Sequence, residues 1–411
     1  GGNAQALANH GRIRTLMRLR TEGKPPMHAR CAQAALTLLL LIAAAPAARA
    51  QDEAPEDLGD IPVLAPAEVV APRLLGGPPT AESEASVTAT RGRLELLRVP
   101  NTVSVLTDDE IRVHRAARSL SDALEGLPGV LVQKTGPLQH SPYVRGFTGY
   151  QNLLLIDGIR LNNASFRAGP NQYWATIDAL SIERMEVLRC PHSVLYGSDA
   201  IGGTVNVIPF QRTSFEPGLH TDHGLYLRAA SAERAYFARL ETQGNRDGFG
   251  WAAGLTRKQY GDIESGSGRL PGTGGISEWD ADVRFDQRFA RDWTLTAAWQ
   301  HVRQYDAPRT ERTVDAVPFA GTSVGSELVR DFDQERDLAY VRLAFDHGAC
   351  CTPFSRGHVA VSYHRQAEAR YRLRTGDRED RQGFTVEQFG VQAQLESPTR
   401  FGRFTYGAEY Y

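Results

Sequence analysis

Apolar and polar positions alternate with a period of two through most of the second half of the chain. Trp279, Ala281, Val283 and Phe285 are interleaved with Asp280, Asp282, Arg284 and Asp286, and Trp293, Leu295, Ala297 and Trp299 with Thr294, Thr296 and Gln300. The longest case runs from His358 to Arg374. There Val359, Val361, Tyr363, Ala367, Ala369, Tyr371 and Leu373 alternate with Ser362, His364, Gln366, Glu368, Arg370, Arg372 and Arg374, and Arg365 alone breaks the apolar set. This pattern predicts strands with one apolar and one polar face. A soluble sandwich alternates too, but its strands usually run about 3 to 10 residues, so ~16 regular residues favour a tall barrel. Trp251, Trp293 and Tyr410 lie near predicted strand ends, where a membrane barrel carries aromatic girdles. About nine strands fit between residues 217 and 411 at the strand length of such a barrel. The links near 244–250, 289–292, 348–357 and 398–402 are short and alternate with longer ones at 261–275 and 303–336. That alternation matches short periplasmic turns and long outer loops.

Residues 99–212 carry a different, mixed pattern. Val103, Val105 and Leu106 predict a strand, and Asp108, Asp109 and Glu110 place negative charge where a helix dipole favours it. Ser119 opens a second helix with Leu120, Leu124 and Leu127 on one face, stopped by Pro128 and Gly129. A strand follows at 130–133. Residues 153–156 and 159–161 then flank Asp157 and Gly158, a pair suited to a type I′ hairpin turn. In the run IERMEVLRCPHSVLYGSDAIGGTVNVI, residues 182–208, Met185 and Val187 alternate with Arg184 and Glu186. Gly197, Gly202 and Gly203 mark turns, and residues 204–208 form another strand. Together these elements predict a small mixed α/β domain.

The N-terminal part predicts export. The apolar run at 32–47 follows Met27, His28 and Arg30 and precedes an A-x-A-like cut site, so residues 27–50 read as a signal peptide with Gln51 as the mature start. The run is shorter than the ~20 apolar residues of a spanning helix. Residues 1–26 read as upstream sequence or a misplaced start. Residues 51–98 read as a flexible periplasmic linker, rich in Ala, Pro and Glu up to residue 85. With no further helical span expected, the exported chain ends in the periplasm, outside the cell, or in the outer membrane as a barrel. The formal net charge of -2 gives no basic field for nucleic acid. Beyond the signal peptide, Cys190, Cys350 and Cys351 are an odd number for an oxidising compartment, and their pairing is left open.

The runs LSDALEGLPGV at 120–130, VRGF at 144–147, LIDGIR at 155–160 and the run at 182–208 resemble, in order and without a gap, the plug domain of TonB-dependent outer-membrane receptors. The resemblance implies an α+β plug domain, residues 99–212, inside a transmembrane antiparallel β-barrel, with residues 217–411 as its first part. The family barrel has about 22 strands. It also implies a place in the outer membrane of a Gram-negative bacterium, amid its lipid, and active uptake of a scarce, bulky ligand. A ferric siderophore or haem is the first expectation, with cobalamin or a glycan as alternatives. TonB and its inner-membrane energising complex are the implied partners. Residues 84–91 resemble the stretch at or beside the TonB box, with Ser86, Val87, Thr88, Ala89 and Thr90 as the segment that pairs with TonB by strand addition. Residues 67–71 are a second candidate. The plug loops expected to meet ligand carry His140, Tyr143, Arg167, Asn171, Gln172, Tyr173 and Trp174. Arg and aromatic side chains suit an anionic, flat iron chelate or haem, and His140 and Tyr143 are residue types that ligate haem iron. Cys190 stands where the family usually has glycine, which would strain a turn of positive φ.

No metalloprotease, P-loop or dinucleotide motif occurs, and neither an enzyme, a resident metal nor a cofactor is expected. Residues 321–325 fit G-x-S-x-G, but in a predicted outer loop rather than on a strand-to-helix elbow. Asp331, Asp333 and Asp337 are expected to be a solvated loop face, since an EF-hand needs glycine where Arg336 stands. The rival classes are a passive porin-like barrel and a secreted enzyme using Ser323.

Overall fold

A computed structural model describes residues 85–411 except 167, 212–216, 267, 290–291, 319–322 and 349–352. The expected signal peptide, the residues before it, residues 51–84, Arg167, Cys350 and Cys351 therefore lie outside the described residues.

The first sheet system is small and mixed. Strands β1 (Ala85–Ser86) and β2 (Leu94–Glu95) pair antiparallel and lead into β3 (Val103–Thr107). Strands β4 (Val130–Lys134) and β5 (His140–Val144) form a hairpin. The strands β6 (Asn152–Ile156), β7 (Ile159–Arg160), β8 (Ile182–Leu188) and β9 (Gly203–Pro209) join β3 in a five-stranded sheet of order β3-β8-β9-β6-β7, in which β6 and β9 run parallel. The turn between β6 and β7 has φ of 49° at Asp157 and 79° at Gly158, the two positive angles of the expected type I′ turn. Gly203 is required for packing, because a Cβ there would sit 2.5 Å from Leu188 O and 2.8 Å from Val144 Cγ1.

The helices are shorter than the periodicity predicts. The Ser119 hydroxyl accepts the Asp122 N–H at the start of α1 (Leu120–Ala123), as expected of an N-cap. The helix ends after one turn because the chain takes a positive φ at Gly126 and again at Gly129, yet Leu124 and Leu127 stay buried. The helix expected after Asp108 is one wide turn, Glu110–His114, closed by Arg115 N–H donating to Glu110 O at 2.9 Å. Another short turn, α2 (Ser193–Tyr196), ends at Gly197 with φ 71°. Cys190 has no positive φ, so the strain expected there does not arise.

The second system is a nine-stranded antiparallel sheet, hereafter the wall. Its strands are β10 (Leu219–Ala230), β11 (Ala235–Arg246), β12 (Phe249–Gln259) and, after a small hairpin of β13 (Glu264–Ser265) and β14 (Gly268–Arg269), β15 (Ser277–Arg288), β16 (Trp293–Pro308), β17 (Glu327–Asp346), β18 (Arg356–Arg374), β19 (Arg378–Thr399) and β20 (Gly402–Tyr410). The expected long link at 303–336 is shorter, since β16 and β17 run on to Pro308 and from Glu327. Asp331, Asp333 and Asp337 accordingly sit in a strand rather than a loop. Not every outer link is long: β10 and β11 are joined through residues 231–234 and β18 and β19 through 375–377.

Burial on the wall is inverted relative to a soluble sheet. On β18 the polar set Ser362, His364 and Gln366 is buried, while Val359 and Val361 are 50% and 53% exposed. Leu225, Leu227, Leu240, Leu255, Val341 and Phe389 are likewise exposed. An apolar surface this extensive needs a non-aqueous environment, and lipid supplies one for a sheet whose polar face points inward. The polar face is covered by the small domain. Leu338, Tyr340 and Ala360 of the wall share one apolar cluster with Leu154, Ile156, Trp174, Met185 and Val207 of that domain. Among the described residues no helix is long and apolar enough to cross a membrane.

Candidate functional site

Two carboxylates of the small domain fasten it to the wall. Asp157, at the tip of the β6–β7 turn, is carried there by the positive φ values of the turn. Its Oδ2 accepts the Tyr340 hydroxyl at 2.7 Å, Arg284 Nη1 at 2.9 Å and Arg342 Nη1 at 3.0 Å. Gln392 Nε2 donates to the next carbonyl, Gly158 O, at 2.9 Å. Burial alone would raise the Asp157 carboxyl, but the Arg342 and Arg284 charges and the Tyr340 bond hold it well below the usual carboxylate range.

Asp178 caps the turn Ala179–Ser181 by accepting Leu180 N–H at 3.0 Å, and its remaining lone pairs face the wall. Lys258 Nζ lies 2.8 Å from Oδ1, and the Thr256 hydroxyl donates to Oδ2 at 2.6 Å. Arg239 Nη1 stands 3.4 Å from the same oxygen. Burial pushes this carboxyl up, and the Lys258 and Arg239 charges outweigh it, leaving it lowered to about 2. Lys258 also meets Glu278 at 2.6 Å, and Arg239 meets Asp282 and Glu241 at 2.8 Å. Glu241 reaches back to Arg112 of the small domain at 2.9 Å, so the ion pairs form one chain across the interface.

The segment read as TonB-facing lies against this domain. Ser86, Thr88 and Ala89 are buried and Val87 and Thr90 half-buried. Glu186 Oε2 accepts the Ser86 hydroxyl at 2.7 Å and the Val87 and Thr88 amides at 3.0 and 2.9 Å. Tyr196 OH donates to Thr88 O at 2.8 Å.

The residues expected to meet ligand divide into a buried set and a half-exposed one. His140 is buried, with Nδ1 3.0 Å from Ser119 Oγ and 3.2 Å from Asp122 Oδ1, because β5 packs its first residue over α1. Asn171, Gln172, Tyr173 and Trp174 are all buried. Gln172 bonds Glu368 of the wall, and the Tyr173 ring meets Phe166 at 5.1 Å and Phe384 edge-on at 6.0 Å. Trp174 fills the shared apolar cluster. Tyr143 alone of the described set is half-exposed, its hydroxyl donating to Gln133 at 3.1 Å.

Above this contact the inner face of the wall becomes strongly basic, a feature that reading the plug loops alone overlooks. Arg370 lies two residues beyond Glu368 on the same face, with Arg372 opposite Arg330 in register. Arg330 meets Glu327 at 3.0 Å, and Arg372 meets Glu327 at 3.1 Å. Arg372 Nε donates to Asp380 at 2.8 Å, and Arg374 stands 3.4 Å from Asp380. With Arg370 Nη2 3.8 Å from Asp380, four guanidinium groups share two carboxylates. The sequence signal was present, since Arg370, Arg372 and Arg374 form the polar set of one strand, but their neighbours come from separate strands.

Other chemistry is weaker. His301, Glu335 and Asp337 bring ligand atoms within 4.8 Å of one another on the outer face, but Arg303 and Arg365 already pair with Glu335. Ser323 is exposed, and Gly321 and Thr322 lie outside the described residues.

The sequence of residues 95–204 matches the family model of the TonB-dependent Receptor Plug Domain. The chain is 32% identical over 226 residues to the vitamin B12 transporter BtuB of Vibrio vulnificus, covering 54% of this chain and 35% of that protein. It is 35% identical over 134 residues to the iron-regulated outer membrane virulence protein of Vibrio cholerae, covering 31% of this chain and 20% of that one. The chain therefore spans about a third or less of these relatives' lengths. Among solved structures, the fold is similar to a ferric enterobactin receptor mutant from Pseudomonas aeruginosa in complex with enterobactin, with TM-score 0.56, 18% identity, and coverage of 75% of this chain and 49% of that one. It is also similar to the copper transporter OprC, with TM-score 0.61, 18% identity, and coverage of 75% and 45%. The plug match, the polar-in and apolar-out wall and the carboxylates that join them agree: residues 95–204 are a TonB-dependent receptor plug domain, set against a wall similar to those of the outer-membrane receptors it resembles.

Proposed function

We propose that this chain is the plug and first wall strands of a transporter that takes up a scarce, bulky anionic ligand, a ferric siderophore or haem, using energy delivered by TonB and its inner-membrane complex. In this reading residues 27–50 are a signal peptide, 51–98 a linker, 99–212 the plug, and 217–411 part of a barrel of about 22 strands set in outer-membrane lipid. Ligand is captured from outside, the segment at residues 86–90 is exposed, TonB pairs with it, and the plug rearranges. Wall strands with one apolar face and a buried polar face support the barrel assignment.

The observation that carries the ligand class is the group of Arg330, Arg370, Arg372 and Arg374 sharing Glu327 and Asp380 on the inner wall beyond Gln172 and Tyr173. Excess guanidinium groups in a partly dry site favour a carboxylate- or catecholate-bearing ligand through bidentate, charge-assisted bonds. Tyr143 and the loop at 134–143 complete the proposed contact, with Arg167 among its candidates. Buried Asn171, Gln172, Tyr173 and Trp174 act in this reading by holding that loop against the wall. Cobalamin is the second reading, favoured by the identity to the vitamin B12 transporter.

The test is equilibrium binding of a ferric catecholate, haem and cyanocobalamin to the full receptor, in the parent and in Arg330→Ala/Arg372→Ala. The proposal expects anionic iron ligands to bind and to weaken at least about tenfold in the variant, the loss of one or two charge-assisted bonds. Cyanocobalamin binding that ignores the variant contradicts the anionic assignment.

A further inference from the structure

Glu186 is a fully buried carboxylate in the middle of β8, and the main chain of residues 86–89 folds around it. Besides the Ser86 hydroxyl and the Val87 and Thr88 amides on Oε2, Oε1 lies 3.2 Å from Val87 N and 3.3 Å from Arg184 Nε. Ser86 Oγ in turn accepts Ala89 N–H at 3.2 Å. Successive N–H groups converging on an anion make a nest, and bonds to an ionised acceptor are about twice as strong as neutral ones. Asn206 Nδ2 adds a bond to Thr88 Oγ1 at 3.0 Å from the adjoining strand.

Strand addition needs the same donors. An extended segment pairing along one edge offers the N–H of every second residue to its partner. In either register, Val87 or Thr88 must therefore turn its N–H away from Glu186. The carboxylate and a partner strand compete for this segment, and its departure takes from Glu186 the hydroxyl and amide donors that satisfy it, which is costly.

We propose that Glu186 is the positioning residue that keeps residues 86–89 closed to TonB, and that TonB pairs with this segment only once the carboxylate has released it. This rests on the reading of residues 86–90 as the TonB-facing segment.

The test uses the full receptor as the parent, as Glu186→Gln, and as Ser86→Ala, which weakens the clasp from the segment side without touching the plug sheet. Hydrogen–deuterium exchange of the peptide covering residues 85–92 reports the clasp, and affinity for the periplasmic domain of TonB without ligand reports its consequence. Glu186→Gln turns a donor toward the amides, so exchange should rise by about tenfold or more, with a smaller rise in Ser86→Ala. TonB affinity should rise in step, because apparent affinity scales with the competent fraction. Unchanged exchange in both variants overturns the clasp. Faster exchange with unchanged TonB affinity overturns instead the assignment of residues 86–90 and moves the TonB-facing segment to residues 67–71.

Discussion

The Tyr340 hydroxyl donates to Asp157 Oδ2 at 2.7 Å, so a wall side chain closes on the tip of the plug's two-residue turn. Arg284 and Arg342 converge on the same oxygen, and all four groups are largely buried. Asp157→Asn keeps the shape and removes the charge, leaving two buried guanidinium groups under-compensated. The expected cost is about 3 kcal/mol, that of breaking a buried ion pair. Urea unfolding followed by tryptophan fluorescence checks this, and a midpoint equal to that of the parent would refute it.

Asp178 supplies a pH dependence of defined sign. Its carboxyl lies at about 2 against an ordinary 3.8, because Lys258 and Arg239 outweigh burial. A group whose folded value is depressed contributes stability that is fully present above the unfolded value and lost as pH falls through the folded one. Plug–wall resistance to urea should therefore stay level down to about pH 4 and drop between 4 and 2. Asp178→Asn should show a shallower drop in that window. An identical profile in the two proteins would exclude Asp178 as the source.

Trp174 is almost wholly buried in the cluster that plug and wall share. Trp174→Ala should cost about 3 to 5 kcal/mol of stability, the range for removing a large core side chain. At a temperature where the variant is still folded, its ligand affinity should match the parent's. A stable variant with weakened ligand binding would return Trp174 to the ligand surface.

The outer face makes a separate prediction. Val361 is half-exposed in the middle of an apolar stretch, so Val361→Arg should disfavour membrane insertion by about 2 to 4 kcal/mol, the depth-dependent cost of a lipid-facing cation. Refolding yields into vesicles measure it. Ser362→Arg, on the inward face, is a poor control because it would clash with the plug, and Arg365→Lys, higher on the same outer face, is the suitable one.

Strand identity was legible because period-two alternation survives wherever one face meets lipid and the other the plug. It failed between residues 303 and 336, where β16 and β17 carry Arg303, Asp331, Asp333 and Glu335 towards their ends. Where strand ends carry polar residues on both faces, the alternating signal fades although the ladder continues. The turn at Asp157 and Gly158 could be read from local chemistry, yet the wall partners of Asp157 could not, since they come from β15 and β17. Glu186 read as the polar face of a half-buried strand for the same reason: its partners lie far back along the chain. Residues 171–174 are expected at the ligand only through the resemblance, which places them in an upper plug loop, and their burial against the wall depends on strands far along the chain.

Val87 joins the clasp to the partner strand. Val87→Pro removes an N–H that Glu186 binds and that a ladder would use. Ligand affinity should hold within about twofold while uptake falls to background, since binding and energised release use different groups. Uptake at the parental rate would refute the assignment of residues 86–90.

The most direct measurement is uptake of a radiolabelled ferric siderophore by cells carrying the full receptor, with and without collapse of the proton gradient. Collapse should abolish uptake and leave surface binding intact. Uptake that continues after collapse would contradict gated transport and make the barrel a passive pore.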